Sequence, residues 1–94
     1  MLFRSYRERR RAQEDCLRDR NCLALLDWLS VAPKHSLDSF NAYNLFKQDP
    51  WVFAAALIKL GRAGAIDIHA ATIHLTKPIG GALCRKALQK LGKL

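Results

Sequence analysis

Residues 36–76, SLDSFNAYNLFKQDPWVFAAALIKLGRAGAIDIHAATIHLT, change hydrophobic period part-way along, and that change decides the fold. Ser36 is a good helix N-cap, and Leu37, Phe40, Tyr43 or Asn44, and Leu45 follow at helical spacing. Lys47 and Gln48 make a short break. Asp49 followed by Pro50 restarts a helix, with a carboxylate on the free N–H groups and proline at the first helical position. Phe53, Leu57 and Leu60 form an i, i+4, i+7 stripe, and Gly64 sits where a left-handed C-cap would stop the helix. Beyond Gly64 the period is 2. With Ala70 and Ala71 at the tip, Ile66 lies opposite Leu75, Asp67 opposite His74 and Ile68 opposite Ile73, which puts the apolar side chains on one face. The tip lacks Asn-Gly or Gly-X, so a four-residue loop from His69 to Thr72 is expected rather than a tight primed turn.

This order of helix, turn, helix and hairpin resembles the winged helix–turn–helix family. The resemblance is carried by Ser36, the Phe46–Asp49 turn, Phe53, Leu57 and Leu60, the Gly64-Ala65-Ile66 exit and the wing from Ile68 to Ile73. It implies a mainly α fold with a small β-hairpin, extended here by a helix at each end. It implies a binding role, because winged helices bind DNA, RNA and other proteins.

The 94 residues make one domain with a modest core, and half of them are hydrophobic, which argues against wholesale disorder. No apolar run approaches the roughly 20 residues that span a bilayer, so no membrane partner is expected. The start, MLFRSYRERRR, has no apolar stretch after its basic residues and does not read as a secretory signal. Cys16, Cys22 and Cys84 are odd in number and lack metal-ligand spacing. Free thiols in a cytoplasmic protein are expected.

The net charge of +8 is unevenly placed. Residues 1–20, a basic helical arm, hold seven arginines against four acids. Residues 21–76, the winged core, hold four of each sign and cancel. Residues 77–94 hold Lys77, Arg85, Lys86, Lys90 and Lys93 with no acid. The first arm can be drawn as one long helix or as two with a break near 19–21. Its Arg-rich half, 5–20, is expected to be helical and partly detached, as a solvated face or as an arm on phosphates or a second subunit. Its second half, Cys22 to Leu29, is densely apolar and must be core, in a helix near 21–31 that Pro33 closes. Further helices are expected near 37–46, 50–62 and 81–91. In the last arm Gly80-Gly81 gives a flexible lead-in, and Ile79, Leu83, Leu88 and Leu91 can make a stripe that pairs two copies or folds back on its own domain.

In a DNA-reading winged helix the outer face of the second helix carries side chains that match base edges and phosphates. Here it carries Trp51, Val52, Ala55 and Ile58, with only Lys59 and Arg62 cationic. An exposed apolar patch of that kind more often marks a protein contact. His69 and His74 flank the wing tip, and a surface cross-strand pairing of His74 with Asp67 is the default over a metal or acid–base pair. No glycine-rich phosphate loop or nucleophile signature is present, so no catalysis, cofactor or metal is expected.

Two functions from different classes remain. One is a dimeric regulator of transcription bound to double-stranded DNA. Its contacts would be Arg7, Arg9, Arg10 and Arg11 on the arm, Lys47, Trp51, Lys59 and Arg62 around the helix–turn–helix, and His69, Thr72 and Lys77 on and beyond the wing. The other is a protein-binding module, such as an antirepressor, an anti-CRISPR-like inhibitor or an assembly subunit, that uses Trp51, Val52, Ala55 and Ile58.

Overall fold

A computed structural model describes residues 6–46 and 49–94. The chain is mainly helical with a small three-stranded antiparallel sheet. In order, it runs through α1 (Tyr6–Leu17), α2 (Arg20–Val31), a 3-10 turn (Pro33–His35), β1 (Ser36–Asp38), α3 (Ser39–Phe46), α4 (Pro50–Arg62), β2 (Ile66–His69), β3 (Thr72–Leu75) and α5 (Ile79–Lys90). No helix among the described residues is long and apolar enough to cross a membrane.

The first arm is two helices. Asp19 breaks them and caps α2, its Oδ1 accepting from the N–H groups of Asn21 (2.8 Å) and Cys22 (3.3 Å). Along α2, Cys22, Leu25, Leu26 and Leu29 fall at i, i+3, i+4, i+7 and are all fully buried. Contrary to the expectation of a partly detached arm, α1 is docked. Cys16 is fully buried, Ala12 and Leu17 pack on the core, and Gln13 Nε2 donates to Ala63 O, a carbonyl at the end of α4, at 3.3 Å. The stripe that docks it, Ala12 and Cys16, is small and sits among arginines, so the charge hides it. All three cysteines are free, buried thiols.

Two separate helices, α3 and α4, form where a helix–turn–helix is expected, with Asp49 Oδ1 accepting from Trp51 N at 2.8 Å and Pro50 in the first turn of α4. Lys47 and Gln48, and with them the Lys47 contact, lie outside the described residues. Phe53, Ala56, Leu60 and Ala63 point into the core, and Leu57 packs against it. Gly64, at φ +78°, ends α4 in a Schellman motif: Ala65 N–H donates to Leu60 O and Gly64 N–H to Gly61 O, both at 3.0 Å. Ser36 does not cap α3. It belongs to β1, and Asp38 Oδ2 accepts from Asn41 N at 3.1 Å instead. The shift satisfies backbone groups that would otherwise be left unpaired, because Ser36, Leu37 and Asp38 pair with His74, Ile73 and Thr72 along the open side of β3.

The sheet order is β1-β3-β2, and the hairpin has the expected register, Ile66 with Leu75 and Ile68 with Ile73. Ile66 and Ile73 are in the core, while Ile68, nearer the tip, is 53% exposed. The four-residue loop is not formed. His69 pairs with Thr72, and the turn is only Ala70 and Ala71, both left-handed at φ 51° and 60°. Two left-handed residues match the strand twist of a primed turn, and Ser39 N–H holds Ala71 O at 2.9 Å. A left-handed alanine costs about 1–2 kcal/mol. Replacing Ala70 by Asn and Ala71 by Gly is therefore expected to raise stability by roughly 1–2 kcal/mol, read as a higher urea midpoint at unchanged slope.

The expected flexible lead-in at Gly80-Gly81 is instead part of α5. Both Gly80 and Gly81 lie in its first turn, and Gly80 is buried against the sheet. Leu83, Cys84 and Ala87 then carry the helix into the core.

Candidate nucleic-acid interface

Helices α1 and α5, which belong to the two basic segments of the sequence, lie side by side. Helix α1 presents Arg7, Arg9, Arg10 and Arg11 as exposed side chains, and α5 presents Arg85, Lys86 and Lys90. A groove of about 350 Å³ runs between the two helices, with Arg9, Arg10 and Lys86 around it and Leu17 and Leu83 beneath. Tyr6 Oη accepts from Arg10 Nη1 at 3.2 Å, and Glu14 is 3.9 Å from the Arg10 Nε. Lys86 was not among the contacts expected from the sequence. Its signal was the absence of any acid after Asp67.

A second depression, of about 370 Å³, lies where α1 meets α4 and brings Arg18 and Arg62 beside Asp15, Asp19 and Lys59. Lys59 is already engaged within the chain. Its ammonium donates to Asp19 Oδ2, on the residue that caps α2. Burial pushes the Asp19 carboxyl up, but the Lys59 ammonium and the Asn21 and Cys22 N–H groups outweigh it and hold the group below the ordinary value of 3.8. Stability from the ionised form is thus present above pH 3.8 and falls as the pH drops through the lower folded value. Asp19→Ala, which removes cap and ion pair together, is expected to cost about 1–2 kcal/mol at pH 7. Asp19→Asn keeps the cap and is expected to flatten the acid limb of stability against pH, measured by urea unfolding from pH 2 to about 6.

On α4 the outer face is apolar. Trp51 is 81% and Ile58 53% exposed, with Ala55 between them, whereas Val52 is half-buried and packs on the core. Arg62, exposed in the last turn, is in no ion pair among the described residues. At the tip of the β2–β3 hairpin, His69 is exposed, and Thr72 is half-buried with its hydroxyl 3.5 Å from Ala70 O. Lys77 is remote from these in a different setting, beside Lys34, His35 and Arg85. Ser36, His74 and Asp67 stand in register across the three strands. Ser36 Oγ is 2.8 Å from His74 Nδ1, and no hydrogen bond joins Asp67 to the ring. The Asp67–His74 pairing exists in register only.

The stripe on α5 is mostly consumed inside the chain. Leu83 is 3% exposed, Ile79 and Leu88 are half-buried, and Leu91 alone is exposed, at 40%. The premise for pairing two copies through it, an uncovered apolar surface, does not hold at Leu83. Among the described residues no three His, Cys, Asp or Glu side chains are grouped to hold a metal ion. No family model, curated protein or solved structure matches the chain.

Proposed function

We propose that this chain is a winged helix–turn–helix module that binds double-stranded DNA and holds duplex phosphates on the surface shared by α1 and α5. The observation that carries the reading is the meeting of Arg9, Arg10 and Lys86 around one groove, from segments 76 residues apart at Arg10 and Lys86. Cations gathered on one side of a small protein make the electrostatic footprint of a polyanion partner. The order α2, β1, α3, α4, β2, β3 and the sheet order β1-β3-β2 support the winged reading. A role in transcription would follow from it. The test is titration of random and genomic duplexes at several salt concentrations. Binding that weakens linearly on a log–log plot is the expected result. A chain that binds no duplex in a salt-dependent way ends the reading.

A second reading has its own support. With Lys59 tied to Asp19, the outer face of α4 offers Trp51, Ala55 and Ile58, a stripe suited to another protein. Trp51→Ser leaving duplex affinity unchanged would take this face of α4 out of the duplex surface, as this reading expects.

A further inference from the structure

An open groove lies away from the α1/α5 face, between the 3-10 turn, the end of β3 and the opposite flank of α5. It measures about 580 Å³, within the 300–1,000 Å³ that ligand sites occupy. Leu75, Cys84 and Leu88 give it an apolar floor, and Lys34, Lys77 and Arg85 stand around it. None of these three cations is in an ion pair among the described residues. Burial and then the charge of Asp27 push the Cys84 thiol up to about 11, so the floor stays neutral. Asp27 itself is held by Lys93 at 2.6 Å. The rim is set by unusual backbone. Lys34 and His35 are consecutive non-glycine residues in the left-handed region, at φ 55° and 52°, and His35 Nδ1–H donates to Leu29 O at 3.2 Å. Strain of this kind persists where the surroundings over-determine it and is concentrated at ligand sites.

We propose that this groove binds a small amphipathic organic anion, its apolar body on Leu75, Cys84 and Leu88 and its carboxylate between Lys34, Lys77 and Arg85. The charge complementarity is one-sided, since the lining carries cations and no acid. A carboxylate there makes charge-assisted hydrogen bonds to a fork and two ammonium groups. The site is separate from the duplex surface. On α5, successive residues turn by about 100°, which sends Arg85 to this groove and Lys86 to the other.

The experiment follows amide shifts of the full chain during titration with 4-phenylbutyrate, with 4-phenylbutan-1-ol as the neutral counterpart and inorganic phosphate at matched ionic strength. Saturable shifts at Thr76, Lys77, Gly81 and Arg85 are expected with the carboxylate, with the alcohol about ten-fold or more weaker. Arg85→Gln should weaken the carboxylate several-fold. Gly81 gives a second variant expected to leave the fold alone, because a Cβ there meets nothing within 4 Å and the residue lines the open groove into which a longer side chain would extend. Gly81→Met should abolish binding at an undiminished unfolding midpoint. The proposal is overturned by absence of saturable shifts, by equal binding of the alcohol, by phosphate shifting the same amides as strongly, or by undiminished binding in Gly81→Met. Loss of carboxylate binding on concentrating the protein would mean that a second copy occupies the groove, and would overturn it too.

Discussion

Gly80→Ala is expected to lower the melting temperature by roughly 10–20 °C, although it adds a single methyl group to a helix. A Cβ at Gly80 would lie 2.4 Å from Ala65 O, 2.9 Å from Leu75 Cγ and 3.0 Å from Thr76 Oγ1. The first of these is backbone and cannot swing aside. Ala65 O also accepts the Thr76 N–H at 2.9 Å, so moving it opens the base of the hairpin. Overpacking of this kind costs about 3 kcal/mol, a large part of the 5–15 kcal/mol that holds a domain folded. Gly81→Ala is the internal control. Its Cβ meets nothing within 4 Å, and exchanging a helical glycine for alanine should stabilise by up to about 1 kcal/mol. Equal melting temperatures for parent and Gly80→Ala would show that α5 does not approach the sheet this closely.

The second large effect concerns the duplex. Replacing Arg9, Arg10 and Arg11 together by alanine is expected to flatten the slope of log K against log salt by up to about three units, at about 0.9 for each phosphate no longer neutralised. All sequences should weaken alike, because phosphate contacts carry no base information. Lys86→Ala should remove about one further unit if α1 and α5 act as one surface. Lys59→Ala is expected to differ in kind. Its ammonium is engaged with Asp19, so the effect should appear in the unfolding midpoint and hardly in the salt slope. A triple variant as tight and as salt-sensitive as the parent removes α1 from the duplex surface.

What could be read in advance was local. The strand register followed from alternation at Ile66, Ile68, Ile73 and Leu75, and the end of α4 from Gly64, because each signal lies within a few residues of its effect. Asp49-Pro50 marked the start of α4 for the same reason. Strand β1 was missed because Ser36–Asp38 is three residues long and is a strand only through β3. The docking of α1 was missed because its arginines outnumber the small residues that seat it. Of the candidate interface, the uneven placing of charge was legible but its convergence was not. That depends on where α1 and α5 pack, as the engagement of Lys59 by Asp19 depends on a pairing 40 residues apart in sequence.

Thr76 ties three parts of the chain with one hydroxyl. Its Oγ1 donates to Gly64 O at the exit of α4 and accepts from Gly80 N in the first turn of α5 at 3.0 Å, while its own N–H closes the hairpin on Ala65 O. None of the three can be released alone without leaving one of these groups unsatisfied. In the language of native-state opening, the hairpin and the start of α5 are expected to form one cooperative unit, with the amides of Thr76 and Gly80 exchanging at a common free energy in a native-state hydrogen-exchange measurement.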